Sequence, residues 1–147
     1  AYAVTVAGLI LYLAAAYMIC DFVLYLSPIP LAVFIIYPLM KRFTWLCHFG
    51  VGLGLALAPL GGWVAVTCSL HSMLPAVLLA LFTLFWVSGF DIIYATMDEE
   101  FDRKNRIYSM VARFGRGTAL HISSLLHQAA FFSIAFLYFL MFKTIFA

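Results

Sequence analysis

Five long apolar runs, separated by short polar connections, make up most of the chain. A helix needs about 20 consecutive apolar residues to cross the hydrocarbon core of a bilayer, and each run approaches or exceeds that length. Apolar and polar residues do not alternate within the runs, as they would in the strands of a membrane barrel. The pattern therefore predicts an all-α fold, a polytopic transmembrane helical bundle whose spans lie near residues 2–20, 22–40, 45–69, 74–97 and 118–142.

The second run is the one in which the pattern predicts an irregularity. Ser27, Pro28 and Pro30 fall in its first half. Proline lacks the N–H that a helix interior needs, although spanning helices tolerate it because neighbouring groups satisfy the freed backbone. We expect a bent or broken helix here.

Composition supports the same class of protein. Hydrophobic residues make up 67% of the chain and charged residues 10%, with a mean hydropathy of +1.11, whereas soluble domains carry about 25% charged residues. The chain is therefore expected to be a multi-pass membrane protein whose surroundings are the lipid bilayer. A net charge of +2 is too small to indicate a nucleic-acid partner.

Most of the charge lies in one segment near the end of the fourth run. Of the 8 basic and 6 acidic residues in the chain, five of each kind fall within residues 91–116. The acids come first and the bases follow, an order that suits a metal-bridged anion. The acids are Asp91, Asp98, Glu99, Glu100 and Asp102, and the bases are Arg103, Lys104, Arg106, Arg113 and Arg116.

The distribution of basic residues also predicts the topology. Lys41 and Arg42 are separated from this segment by two spans and therefore lie on the same side of the membrane, whereas the connections on the other side carry no lysine or arginine. The positive-inside rule then places residues 98–117 in the cytoplasm as a charged loop. Lys143, beyond the last run, is the one exception.

Cys20, Cys47 and Cys68 show no CxxC or paired spacing, and each lies in or at the end of an apolar run. This pattern indicates neither a disulfide framework nor a zinc site. We expect all three to be buried small hydrophobic side chains.

Three carboxylates have a helical spacing at the end of the fourth run. If that helix continues past the membrane surface, Asp91, Asp98 and Asp102 project within ~20° of one direction, with Tyr94 on the same side. Mg²⁺ would compensate for their mutual repulsion, because it binds a few carboxylate oxygens and completes its shell with water and phosphate oxygens. An acidic residue at Asp91, between apolar neighbours, is a functional candidate by default.

A simpler interpretation of the same stretch remains open. Acid-base runs at a membrane surface are often solvated segments with local pairs four residues apart. Such pairs would here join Glu99 to Arg103 and Glu100 to Lys104.

Two segments carry a resemblance to a known family. GFDIIYATMDEEFDRKNRIYSMVARFG resembles the second aspartate-rich motif of the UbiA family of membrane prenyltransferases, and IIYPLMKRFTWLCHFGVGLGLALAPLGGWVAVT resembles the family's YPxxKRFT loop and glycine-rich span. The resemblance covers roughly residues 30–127. The matching positions of the acidic motif are Asp91, Tyr94, Asp98, Asp102, Arg103, Lys104, Ser109, Arg113 and Gly115.

The resemblance implies a larger bundle of about nine spans, in which two aspartate-rich motifs bind Mg²⁺ and the diphosphate of a polyprenyl donor. Loss of diphosphate would leave an allylic cation that alkylates a small aromatic acceptor. The bacterial quinone-pathway members, with 4-hydroxybenzoate as acceptor, are the most similar subtype. A naphthoate acceptor in menaquinone biosynthesis is the alternative, and the bacterial inner membrane is the implied location.

Site roles follow from the matched positions. The resemblance implies that Asp91, Asp98 and Asp102 bind the metal and that Tyr94, with Asp91 and Asp98, serves catalysis by orienting the site or the leaving group. It assigns the diphosphate to basic side chains, with the pair before the third span as weaker candidates. These side chains are Arg103, Lys104, Arg113, Lys41 and Arg42.

The sequence departs from the family at one important point, because it contains no first aspartate-rich motif of the NDxxDxxxD type. No signal peptide is visible, and we expect residues 1–147 to be one transmembrane prenyltransferase-like domain, partial at both ends and inactive alone. A transporter or channel subunit with Asp91 on an ion path is the competing class. His121 and His127 are expected to serve packing, and His48 and His71 have no assigned role.

Overall fold

The computed structural model describes the backbone of residues 2–145 and the side chains of residues 2–142. The Lys143 side chain therefore lies outside the described part. These residues form helices and no strand, as the apolar runs predict. The elements in chain order are α1 (Tyr2–Ile19), α2 (Asp21–Leu26), α3 (Pro28–Ile36), a 3₁₀ helix (Tyr37–Arg42), α4 (Cys47–Thr67), α5 (Leu74–Ala95), α6 (Glu99–Lys104), α7 (Met110–Phe114) and α8 (Arg116–Ile145).

Five segments among the described residues are long and apolar enough to cross a membrane. Their bounds agree with the predicted runs to within a few residues, and the all-helical, multi-span class is confirmed. The segments are Tyr2–Ile19, Asp21–Arg42, Cys47–Thr67, Leu74–Ala95 and Arg116–Phe142.

The second span is broken, as its prolines predict. Ser27 lies between α2 and α3, and its hydroxyl donates a hydrogen bond to the Leu24 carbonyl oxygen at 2.7 Å. Pro28 then begins α3 at a position where a helix has no use for an N–H. The Tyr12 hydroxyl of α1 donates to the Ser27 carbonyl oxygen at 2.9 Å, which satisfies an acceptor that the break exposes.

Helix α5 is the centre of the bundle, because its two most extensive contacts are with α4 on one side and α8 on the other. Glycine permits both contacts. A Cβ atom on Gly52 of α4 would lie 2.6 Å from the Leu84 carbonyl oxygen of α5, and one on Gly89 of α5 would lie 2.8 Å from His127 Nδ1 of α8. Small residues of this kind let helix backbones approach closely in membranes, where dispersion contacts must replace the hydrophobic effect.

A disulfide joins Cys20, between α1 and α2, to Cys68, directly after α4. The prediction that all three cysteines are buried and unpaired is therefore wrong for these two and correct only for Cys47. Two spans separate Cys20 from Cys68, so both lie on the face opposite the charged segment. The sequence spacing of 48 residues carries no local signal, because the pairing depends on how the helices pack.

The fourth span does not continue as one helix into the charged segment, contrary to expectation. Helix α5 ends at Ala95, and the next three amides donate to carbonyl oxygens three residues earlier, at 2.9–3.2 Å. This tighter winding turns the chain before Glu99 begins α6. Residues 98–117 consequently contain two short helices, α6 and α7, and the start of α8.

We expect Gly52→Ala to destabilise the bundle by about 1–3 kcal/mol, since the added methyl group meets the backbone of α5 and the two helices must separate. Thermal unfolding in detergent, or unfolding titrated with a denaturing detergent, measures the effect. Gly61→Ala, on the same helix with open space around the new methyl group, is the control and should leave stability unchanged. Equal stability losses in the two variants would contradict the close contact.

The cysteine assignment predicts the number of reactive thiols. Protein denatured without reductant should react with a maleimide at Cys47 alone, and reduction should expose Cys20 and Cys68 as well. The Cys47→Ala variant should show no labelling before reduction. Mass spectrometry of a digest should find the Cys20 and Cys68 peptides linked, and three reactive thiols without reductant would exclude the disulfide.

Candidate active site

Three contacts attach the charged segment to the end of the second span and the start of the third. The Tyr108 amide donates to the Lys41 carbonyl oxygen at 2.9 Å, and the Cys47 thiol donates to the Tyr108 carbonyl oxygen at 3.4 Å. The Met110 amide donates to His48 Nε2 at 3.3 Å. These bonds hold residues 108–110 against residues 41–48, so the structure brings together the two segments that carry the family resemblance.

Two matched residues of the motif have a structural explanation in α7. The Ser109 hydroxyl accepts a hydrogen bond from the Ala112 amide at 3.1 Å and so caps the helix. Gly115 ends it with a φ of +79°, a conformation that favours glycine. The serine and the RFG end of the motif therefore define a short helix, which sets the direction of its arginine.

The charged segment lines an open cavity of about 410 Å³. Three arginines and one aspartate contribute to its walls, together with a serine and a tyrosine. The polar lining consists of Asp102, Arg103, Arg106, Tyr108, Ser109 and Arg113. An anion with several oxygen atoms, such as a diphosphate, matches a cavity with three arginines.

The three carboxylates of the motif do not share one face. Asp91 lies on α5, whereas Asp98 precedes α6 and Asp102 lies within it. Because α5 ends before Asp98, the predicted common direction is lost. The described residues contain no group of three or more His, Cys, Asp or Glu side chains arranged to hold a metal ion, so the three-carboxylate arrangement is not present in this geometry.

Asp102 is the most informative of the three acids. The residue is only 4% exposed and lines the cavity, and its side chain has no hydrogen bond or ion pair within the described part of the chain. Its carboxylate oxygens retain some exposure, because among the described residues only Ser88 Oγ is a fully buried side-chain polar atom without a partner. Asp98, exposed and four residues earlier, precedes α6 by one position. Two carboxylate oxygens, completed by water and phosphate oxygens, fit the chemistry of Mg²⁺.

The basic residues are arranged in three different ways. Arg103 forms an ion pair with Glu99 at 2.9 Å, one of the two local pairs that the simpler interpretation predicts. Arg113 lies over the rings of Trp45 and Phe114, at 5.8 and 5.5 Å from their centroids. Lys104 is exposed to solvent.

The weaker candidates Lys41 and Arg42 are also exposed, at the end of the 3₁₀ helix. The backbone bond from Tyr108 to Lys41 brings this end of the helix to the cavity wall. Tyr94 is 54% exposed, and its ring packs on Phe90 with a centroid distance of 4.6 Å.

Two residues of this region were not predicted as site residues from the sequence. Arg106 lines the cavity, but its position matches no element of the motif. His48 is fully buried, and its Nδ1 lies 2.7 Å from the Asp91 Oδ2 atom. An alignment of isolated motifs does not show this pair, because its members lie 43 residues apart. The polar residue in an otherwise apolar helix was the only available signal.

The other histidines differ in whether they match the prediction. His127 Nδ1 lies 2.8 Å from the Ser123 carbonyl oxygen, and its ring packs edge-on against Trp86 at 5.0 Å. This is a packing role, as expected. His121 is exposed on α8, so the packing role expected for it is wrong in this structure.

Comparison with known proteins supports what the motifs indicate. The model of the UbiA prenyltransferase family matches residues 1–147, the entire chain. The chain belongs to the UbiA prenyltransferase family. The structure of a UbiA homologue from Aeropyrum pernix, determined in its apo form, matches with a TM-score of 0.81 and 37% sequence identity, over 88% of this chain and 49% of that one.

Curated relatives of this UbiA family member include a polyprenyl transferase of Arthrobotrys oligospora and the mitochondrial 4-hydroxybenzoate polyprenyltransferase of Arabidopsis thaliana. The first is 36% identical over 73% of this chain and 29% of its own length. The second is 38% identical over 59% of this chain and 21% of its own length. The chain thus spans less than a third of either relative.

Proposed function

We propose that the full-length protein carrying this UbiA domain transfers an isoprenyl chain from a polyprenyl diphosphate to a small aromatic acceptor. The observation that carries the proposal is that Asp102, a nearly buried residue, lines one cavity together with three arginines. A cation at the carboxylate and an anion at the arginines would each be stabilised there. A metal-bound diphosphate supplies both.

Asp98 and Asp102 are the residues that would hold Mg²⁺. They are separated by one turn, and the Asp102 amide donates to the Asp98 carbonyl oxygen at 2.8 Å, which fixes their spacing. When bound, the metal neutralises charge on the leaving diphosphate. Asp102 is poorly solvated, so its interaction with a cation is less screened than that of a surface acid.

The arginines of the cavity bind the oxygens of the diphosphate that face away from the carboxylates. Arg106 and Arg113 have no carboxylate partner among the described residues, so both guanidinium groups can serve an anion. Arg103 also forms an ion pair with Glu99. Lys104, Lys41 and Arg42 do not line the cavity, and their role would be to neutralise charge from its outer edge. Charge develops on the diphosphate as the C–O bond breaks, so fixed positive groups favour the transition state over the bound donor.

The broken C–O bond leaves its electron pair on the diphosphate and an allylic cation on the isoprenyl carbon. The aromatic ring of the acceptor attacks this carbon, a C–C bond forms, and the ring carbon loses its proton. We assign to Tyr94, one turn beyond Asp91 on α5, the role of orienting the leaving group or the acceptor. The full-length protein would have to keep water away from the cation, because water would quench it.

The name of the Arabidopsis relative makes 4-hydroxybenzoate the first acceptor to test, in a ubiquinone pathway. A dihydroxynaphthoate, as used for menaquinone, is the alternative. Product formation with each acceptor and a common polyprenyl diphosphate distinguishes the two.

The positive-inside distribution supports a cytoplasmic location for residues 98–117 in a bacterial inner membrane. The Cys20–Cys68 disulfide supports the same orientation, because it lies on the opposite face and disulfides persist in oxidising compartments.

Asp102→Asn in the full-length protein should lower kcat by about a hundredfold or more, since loss of one such charge-stabilising group is typically worth ~10²–10³ in rate. Prenyl transfer should also require more Mg²⁺. Glu100→Gln, an exposed acid two residues away, is the matched control and should leave both quantities close to wild type. The assay follows prenylated product in detergent or proteoliposomes.

The same preparations test the competing class. Unchanged prenyl transfer in Asp102→Asn would remove the carboxylate from the mechanism. An absence of product in the wild type, with an ion flux through proteoliposomes that Asp102→Asn alters, would support a transporter instead.

A further inference from the structure

His48 is a buried polar side chain with two partners. Its Nδ1 atom lies 2.7 Å from Asp91 Oδ2, and its Nε2 atom lies 3.3 Å from the Met110 amide nitrogen. A backbone amide can only donate, so Nε2 must accept. The ring proton therefore resides on Nδ1 and is donated to the Asp91 carboxylate. Both ring nitrogens are thereby satisfied by a neutral imidazole.

These two hydrogen bonds connect three helices whose relative positions determine the geometry of the site. His48 belongs to the first turn of α4, Asp91 lies one turn before the end of α5, and Met110 begins α7. An apolar cluster that contains Met110 also includes Ile92 and Val111, both fully buried. The His48 side chain is fully buried, whereas that of Asp91 is 29% exposed. Loss of either partner would leave a buried polar atom of His48 unsatisfied, which is costly.

Met110 follows Ser109, and Arg113 lies one turn further along α7. A displacement of the first residue of α7 would therefore move one wall of the arginine-lined cavity. Asp91 is followed by the tight turn that leads to Asp98, directly before α6, and to Asp102 within it. His48 thus connects the end of α5, from which the metal-binding acids continue, with the helix that carries a diphosphate-binding arginine.

From this geometry we infer that His48 is a positioning residue, which holds the Asp91 carboxylate and the start of α7 so that Asp98 and Asp102 lie opposite Arg113 of α7 at the cavity. Asp91 then acts as the anchor of the charged segment, and Asp98 with Asp102 make the direct metal contact. This inference rests on the proposed function.

The test uses His48→Phe, which keeps an aromatic ring and removes both bonds, in the full-length protein. Groups that orient metal ligands without touching the metal typically contribute 10- to 100-fold. We expect kcat to fall by about that factor and Mg²⁺-dependent binding of inorganic pyrophosphate, measured by calorimetry, to weaken. The acceptor KM should change little. His121→Phe, an exposed histidine on α8 outside the site, is the matched control.

Two amide variants test the two hydrogen bonds of His48 one at a time. They also keep the inference testable if the His48→Phe protein does not fold. His48→Asn places its amide near the Nδ1 position and can still donate to Asp91, whereas His48→Gln reaches the Nε2 position and can still accept from Met110. We expect His48→Asn to recover pyrophosphate binding more than His48→Phe does. Asp91→Asn combined with His48→Phe should be no worse than the more damaging single variant, because both changes break the same contact.

Each outcome decides one point. Wild-type kcat and pyrophosphate binding in His48→Phe would overturn the positioning role. So would losses that multiply in the double variant, since His48 would then act independently of Asp91. A wild-type protein that forms no prenylated product, but whose pyrophosphate binding falls in His48→Phe and not in His121→Phe, would refute the proposed function and leave the positioning role intact.

Discussion

Lipid offers no hydrogen bonds, and this constraint shapes every part of the chain. Backbone groups must pair within helices, so the membrane-crossing segments are helical. Where a helix is interrupted, another group must satisfy the exposed backbone atoms, as the Tyr12 hydroxyl does at Ser27. Charged side chains face the same constraint, and most of them are collected at one end of the bundle, where water and ligands can reach them.

Helix α5 connects the packing of the bundle to the candidate site. Glycines bring α4 and α8 close to it near its middle, and this proximity determines where its last turn lies. The carboxylate on that turn reaches the buried imidazole of α4, and the chain then winds tightly into α6. The position of Asp91 therefore follows from close helix packing in the preceding turns of α5, the last such contact being at Gly89, two residues before Asp91.

The sequence left open whether the charged segment is a solvated loop or a ligand site, and different residues of the segment fit each interpretation. Glu99 and Arg103 form the local surface pair that a solvated segment would have. One position before Arg103, Asp102 is only 4% exposed and lines a cavity with three arginines. Adjacent residues of one short helix thus have different surroundings, because one side of α6 faces solvent and the other faces α7. Surface pairs of the first kind contribute little to stability, whereas a residue of the second kind would be stabilised by a cation.

The sequence by itself determined the number and limits of the spans, the break at Ser27 and Pro28, and the two motifs of the UbiA family. Each of these depends on local properties: run length, the missing N–H of proline, and the spacing of charged residues within a short stretch. The tertiary structure alone decided the Cys20–Cys68 disulfide, the His48–Asp91 pair and the attachment of residues 108–110 to the third span. Their partners lie 43 to 62 residues apart, so their meeting depends on how the helices pack. It also decided that the three carboxylates do not share a face, because a tight turn after Ala95 interrupts the helix on which the predicted geometry relied.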